Sequence, residues 1–165
     1  MKIREGANMA RQTRAPKQLG DFGEGIVTYT LIRKGYEVAY VDHVGADLIA
    51  EKDGRRYAIS VKFRLFREGS KESRMTTIPY KNIEKLETFS RQFGMIPMFA
   101  QVVSIADERK IYLFIISVED VKKILPKGKY GYRLRFGRKR LNELINNDRV
   151  DYSVWENETI GNRDF

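Results

Sequence analysis

The sequence predicts an α/β protein in which helices flank a mixed β-sheet. The hydrophobic pattern gives the element order α-β-β-β-α-β-β-α, which favours an α/β sandwich. Asp53-Gly54 lies between two apolar runs and is typical of a two-residue hairpin turn. The chain of 165 residues is 42% apolar, which is enough for one domain with its own core.

The first half of the chain contains one predicted helix and three predicted strands. The helix covers residues 18–34, has a stripe of large apolar side chains, and ends at Gly35 as a C′ residue. The stripe consists of Leu19, Phe22, Ile26 and Tyr29. The strands are residues 36–41, 46–51 and 56–64, and the last two form the hairpin.

The second half begins with a polar segment, residues 65–79, that is predicted to be a loop. A helix over 81–93 follows and ends at Gly94. Two apolar strands, 98–105 and 111–118, come next. Ser117 and Asp120 form a capping box, which predicts a helix that ends before Pro126.

The charge is strongly basic and unevenly distributed. Lys and Arg number 31 against 22 Asp and Glu, a net charge of +9, and residues 121–142 hold nine cations and no anion. Such clustering favours an anionic partner, most simply nucleic acid, although a solvated basic face is the alternative. We divide the chain into a basic arm (1–17), a core domain (18–125), and a basic, aromatic wing with an acidic C-terminal extension (126–165). The predicted nucleic-acid-binding residues are Arg64, Arg67, Lys71, Arg74, Lys127, Lys129, Arg133, Arg135, Arg138, Lys139 and Arg140.

The composition excludes several classes of site. The chain has no cysteine, so it has no disulfide and no thiolate zinc site, and its one histidine excludes multi-histidine metal sites. A metal must therefore bind to oxygen ligands, which favours Mg²⁺ or Mn²⁺. We expect His43 to be a solvated loop residue, with a general base as the alternative. The sequence has no apolar run long enough to span a membrane and no apolar secretory signal, so we expect a cytoplasmic protein.

The hairpin allows a geometric prediction about three polar residues. If Lys52 pairs with Arg55, Asp47 lies opposite Ser60 and Gly45 opposite Lys62. The Asp47, Ser60 and Lys62 side chains then converge on one sheet face. The opposite, core-forming face receives Ala46, Leu48, Tyr57, Ile59 and Val61. Taken alone, Asp47 and Lys62 are better explained as a structural ion pair, and it is their surroundings that favour a site.

Glu24 lies in a glycine-rich stretch of the first predicted helix. Gly20, Gly23 and Gly25 surround it, and each glycine inside a helix costs about 1 kcal/mol relative to alanine. This cost indicates that the helix closely approaches the sheet or a ligand. The alternative for Glu24 is an exposed helical carboxylate.

Four short motifs together resemble a known family. They are Gly20-x-x-Gly23-Glu24, Lys34-Gly35-Tyr36-Glu37-Val38, Gly45-Ala46-Asp47-Leu48-Ile49 and Ser60-Val61-Lys62. In order and spacing they are similar to the PD-(D/E)xK nuclease superfamily, and within it to archaeal Holliday-junction resolvases and restriction-endonuclease-like proteins. The resemblance covers residues 18–105. It implies a restriction-endonuclease-like mixed sheet flanked by helices, with an αβββαβ core.

The resemblance also implies a metal-dependent DNA endonuclease. Asp47 and Glu24 would bind Mg²⁺ or Mn²⁺, and Lys62 would orient or activate the attacking water. The catalytic set would thus be Glu24, Asp47, Ser60 and Lys62, acting on branched or duplex DNA. A homodimer is expected because two sites would cut two strands, and Trp155 is expected to be a packing or dimer anchor.

Ser60 departs from the family pattern, which usually has an acidic residue or glutamine at this position. Three interpretations follow: another carboxylate replaces it, two carboxylates suffice for weaker metal binding, or the chain binds nucleic acid without cutting it. The candidate replacements are Glu72, Glu84 and Glu87. A further alternative is an RNA-associated basic protein without a metal, in which the pair of Asp47 and Lys62 is structural.

Overall fold

The computed structural model describes residues 15–69 and 74–156, which form four α-helices, a short 3₁₀ turn at Ala106–Glu108 and eight strands. The helices are α1 (Ala15–Arg33), α2 (Tyr80–Phe93), α3 (Val118–Ile124) and α4 (Arg138–Ile145). The strands are β1 (Glu37–His43), β2 (Ala46–Lys52), β3 (Arg55–Phe66), β4 (Met75–Pro79), β5 (Ile96–Ile105), β6 (Lys110–Ser117), β7 (Gly131–Arg135) and β8 (Val150–Glu156). The predicted order of elements from the first helix to the third is confirmed, except that the structure contains the additional strand β4. No helix in these two described ranges is long and apolar enough to cross a membrane.

The strands form one large mixed sheet and one small one. The large sheet has the order β1-β2-β3-β5-β6-β8, in which β3 and β5 are parallel and the other neighbours are antiparallel. β4 and β7 pair as a separate antiparallel ribbon. The prediction of a loop over residues 65–79 is therefore partly wrong, because β4 finds its partner in a remote segment that local sequence does not reveal. The predicted mixed sheet with flanking helices is confirmed.

Helices cover both faces of the large sheet. α1 packs on β1, β2, β3 and β5, while α2, α3 and α4 contribute to the core on the opposite face. The predicted apolar stripe of α1 is wrong, since Phe22 and Tyr29 are 48% and 54% exposed and the buried side carries Val27 and Leu31. Gly23 explains the orientation, because a Cβ atom there would lie only 3.1 Å from Cβ of Phe63. The helix thus approaches the sheet through its small residues, and its large ones face outward.

The helix ends follow local sequence signals. At the end of α1, Gly35 has a positive φ of 82°, and its N–H donates to the Ile32 carbonyl while Tyr36 N–H donates to that of Leu31. These two bonds form the Schellman motif, which satisfies carbonyls at the helix end. At the start of α3, Asp120 N–H donates to Ser117 Oγ at 3.0 Å, which confirms the predicted cap.

Candidate active site

The β2–β3 hairpin has the predicted register over its first five pairs. Lys52 pairs with Arg55 and Leu48 with Ile59, and the turn residues Asp53 and Gly54 both have positive φ. Two positive φ values are what a type I′ turn requires. The ladder ends at the pair of Leu48 and Ile59, so the strands separate at the position where the polar side chains begin.

Gly45 marks the other side of this separation. Its φ is +125°, and a Cβ atom there would lie 2.7 Å from the Lys85 carbonyl oxygen of α2. The backbone of α2 therefore packs directly against Gly45. Ala46, which was predicted to lie on the same face as Leu48, is instead buried in the cluster on the α2 side. The positive φ at Gly45 and a register shift in β1 between Tyr40 and His43 interrupt the alternation of side chains here.

Asp47 replaces the missing ladder bonds with its carboxylate. Oδ2 accepts the Val61 backbone N–H at 2.6 Å and the Ser60 hydroxyl at 3.2 Å. Within the described part of the chain, Oδ1 accepts no hydrogen bond that the structure records. One carboxylate oxygen thus holds the two strands, and the other remains able to bind a ligand.

Lys62 and Glu24 complete the cluster from two different elements. Lys62 Nζ lies 3.9 Å from Asp47 Oδ2 and its side chain is 44% exposed, so the ammonium remains accessible to solvent. Burial raises the pKa of Glu24 above 4.5, and the negative charges of Asp47 and then Asp21 raise it further, while Lys62 opposes them. These influences indicate that α1 brings its carboxylate close to both Asp47 and Lys62.

The three charged groups line one open cavity between α1 and β3. Its volume is about 630 Å³, and Arg64 and Arg67 also line it. Mg²⁺ commonly binds through one or two carboxylates and completes its shell with waters and phosphate oxygens. Glu24 and Asp47 fit that donor set, although no group of three or more acidic or histidine side chains with metal-binding geometry occurs in the ranges 15–69 and 74–156.

The structure offers no replacement for the missing third carboxylate among the described candidates. Glu87 pairs with Lys122, and Glu84 lines a different groove beside α2. Glu72 lies outside the described residues. His43 also lines the groove beside α2, with its ring 4.9 Å from that of Phe89, so it is not placed as a base for the Asp47 cavity.

The predicted nucleic-acid-binding residues have different surroundings. Arg74 donates to Glu108 at 2.6 Å and to Asp107 at 3.1 Å, so its charge is balanced within the protein. Arg140 pairs with Glu143 of its own helix. Lys71 lies outside the described residues. Six predicted nucleic-acid-binding residues of the basic wing form no salt bridge with a residue in the described ranges. They are Lys127, Lys129, Arg133, Arg135, Arg138 and Lys139.

The sequence analysis did not identify Gln101 as part of this region. It lies beside Lys62 in the parallel pairing of β3 and β5 and is 1% exposed. Its Nε2 donates to the carbonyl oxygens of Lys62 and Val102, at 3.2 and 3.1 Å. Gln101 therefore holds the backbone that carries Lys62. A glutamine in the middle of a mostly apolar predicted strand was the available signal.

Comparison with known proteins identifies the fold but no family. No family model and no curated protein matches the sequence. The structure is similar to that of Hjc, a Holliday junction resolvase from the archaeal hyperthermophile Archaeoglobus fulgidus, with a TM-score of 0.51 and 15% identity. The match covers 75% of this chain and 88% of that chain. The fold is restriction-endonuclease-like. At this identity the likeness concerns the fold alone.

Proposed function

We propose that the protein is a metal-dependent endonuclease that hydrolyses phosphodiester bonds in DNA. One observation carries the proposal: Glu24, Asp47 and Lys62 surround an open cavity at the point where β2 and β3 separate. The restriction-endonuclease-like fold supports it, because the resolvase with the similar structure is named for its action on Holliday junctions.

The roles of the residues follow from their charges and exposure. Glu24 and Asp47 would hold Mg²⁺ or Mn²⁺, which when bound supplies a Lewis acid for the phosphate and an acidified water. Lys62 would donate a hydrogen bond from its exposed ammonium to the phosphate or to the attacking water. Ser60 is 7% exposed and donates to Asp47 Oδ2, so we assign it a positioning role rather than a ligand role.

A basic surface leads away from the cavity. Arg64 and Arg67 line its rim, and the Phe66 ring lies 5.9 Å from that of Phe136, at the end of β7. The end of β7 in the basic wing therefore lies next to the end of β3. Such a surface fits a DNA backbone, which binds through phosphate contacts that weaken as salt rises.

Cleavage assays on supercoiled, branched and single-stranded DNA in Mg²⁺ or Mn²⁺ test the proposal. We expect Asp47→Asn and Lys62→Ala to abolish cutting and largely to retain binding. Arg55→Gln, which removes an exposed cation at the β2–β3 turn outside the cavity, serves as the control and should still cut. Metal-dependent cutting that survived both cavity changes would overturn the assignment, and a preference for RNA would redirect the substrate class.

A second candidate function is binding of nucleic acid without cleavage. It is favoured by the lack of a third acidic group at the cavity in the described residues. Tight, salt-sensitive binding with no product on any substrate in either metal would select this function. Calorimetric titration with Mg²⁺ alone also distinguishes the two functions, because only the endonuclease needs to bind the ion at Asp47.

The same proposal includes a homodimer, and the structure offers a surface for a second copy. β8 is an edge strand, and its Tyr152 and Val154 side chains are each 41% exposed. Beside it an apolar groove is lined by Phe22, Tyr29 and Trp155. A twofold axis would pair β8 with its counterpart in antiparallel fashion and bury this groove.

A further inference from the structure

A second cavity lies between the end of α3, β7 and α4, separate from the one that contains Asp47. Its volume is about 130 Å³. Four of the residues that line it are apolar, namely Ile124, Leu125, Pro126 and Leu144, and we call them the floor. Arg133, Arg135 and Arg140 also line it. An apolar floor combined with several guanidinium groups is chemically suited to a ligand that has a flat ring and an anionic group.

The Arg133 side chain lies against the turn at Gly128. A Cβ atom at Gly128 would lie 2.5 Å from Arg133 Nε. The Gly128 turn is itself held, because Gly128 N–H donates to the Gly131 carbonyl at 2.7 Å and the Tyr80 hydroxyl donates to the Gly128 carbonyl at 2.8 Å. Arg133 therefore lies between a hydrogen-bonded turn and the cavity that it lines.

The charge at this cavity is not balanced within the described protein. Arg140 pairs with Glu143, which also lines the cavity. Arg133 is half-buried, Arg135 is exposed, and neither forms a salt bridge to a residue in the ranges 15–69 and 74–156. Alternation along β7 places both arginine side chains on the same face. Two unbalanced guanidinium groups on one face are suited to a phosphate.

The size of the cavity limits the apolar part of the ligand. A cavity of about 150 Å³ lined by apolar side chains is known to hold benzene, so this one accepts about one aromatic ring. From these observations we propose that the cavity binds one unstacked nucleotide of a nucleic-acid strand. The base rests on the floor of Ile124, Leu125, Pro126 and Leu144, and its phosphate binds Arg133 and Arg135. This inference deepens the proposed function and rests on it only for the class of ligand.

Two oligonucleotides of equal charge test the proposal. The full-length protein is titrated, in EDTA, with a short fluorescent single-stranded DNA and with an abasic strand of the same length. We expect the abasic strand to bind about tenfold more weakly, because it lacks the base that the apolar floor would bury. Because EDTA removes metal-dependent cutting from the assay, this result does not depend on catalysis.

Variants assign the difference to the cavity. Ile124→Trp and Leu144→Trp are cavity variants that fill the floor, and each should bring the affinities for the two strands to within about twofold. Arg133→Gln removes a phosphate contact and should weaken the binding of both strands. Arg55→Gln removes an exposed charge at the β2–β3 turn and should keep the full difference. Equal binding of both strands by the wild type, or a base preference that survives in both cavity variants, would overturn the inference. Thermal unfolding checks that each variant folds, and either cavity variant suffices if the other does not.

Failure of this inference is distinguishable from failure of the proposed function. If cutting depends on Asp47 but the wild type shows no base preference, only the proposed nucleotide site is ruled out. A base preference that is lost in Ile124→Trp, without cutting in any metal, would retain the nucleotide site and favour the non-catalytic protein.

Discussion

Changing Ser60 to glutamate tests how the charge of the cavity controls metal binding. Ser60 Oγ lies 3.2 Å from Asp47 Oδ2, so a glutamate carboxylate would lie about 4 Å from that of Asp47. Two like charges at that separation repel by about 4 kcal/mol at an effective dielectric constant of 20. Lys62, whose Nζ is 3.9 Å from Asp47, offsets part of this repulsion. We expect Ser60→Glu to lower the free energy of unfolding of the metal-free protein by roughly 2 to 3 kcal/mol.

Binding of Mg²⁺ should relieve that repulsion. Since each 1.4 kcal/mol corresponds to a tenfold change, affinity for Mg²⁺ should rise by about one to two orders of magnitude. Calorimetric titration with Mg²⁺ measures the affinity, and thermal unfolding with and without the ion measures the stability. Ser60→Gln is the matched control, because it adds the same bulk at a buried position without the charge. Equal Mg²⁺ affinity of the glutamate and glutamine variants would refute the reasoning.

Three further predictions follow from individual contacts. Because the folded state raises the pKa of Glu24, ionising this residue destabilises the metal-free protein, and stability should fall as pH rises from about 4.5 through the raised value. Glu24→Gln should therefore raise the melting temperature of the metal-free protein at pH 7 while removing cleavage, and a lower melting temperature would contradict the assignment. Phe22→Lys combined with Val154→Lys should yield monomers in sedimentation analysis, and an unchanged dimer would exclude this surface. Arg74→Ala should lower stability by about 1 kcal/mol with little change in DNA affinity, since its charge is already balanced; a large loss of affinity would show that it contacts DNA.

The sequence predicts the hairpin well because its determinants are local. Asp53 and Gly54 allow one short turn, and the turn sets the pairing of every residue up to Leu48 and Ile59. Asp47 and Ser60 lie one residue beyond this ladder, and the Asp47 carboxylate reaches the Ser60 hydroxyl although the two residues do not pair. The cap at Ser117 is predicted for the same reason, since its partner is three residues away.

Features that depend on remote partners are predicted less well. The large apolar residues of α1 indicate one buried face, but the helix turns Gly23 and Val27 to the sheet because Phe63 lies close to it there. β4 cannot be recognised without β7. Gln101 can be noticed as a polar residue in an apolar strand, but its bond to the Lys62 carbonyl depends on the parallel pairing of β3 and β5.

The double engagement of Asp47 Oδ2 determines which substitutions are informative. This oxygen joins β2 to β3 at the point where the two strands separate, because it accepts the Val61 N–H at 2.6 Å. Alanine at this position would leave that amide without its acceptor as well as removing the negative charge, so lost activity would mix unfolding with lost chemistry. Asparagine retains an oxygen for the amide and removes only the charge. The Asp47 side chain therefore has two roles: it joins the two strands, and it is a proposed metal ligand. Only the substitution by asparagine separates these two roles.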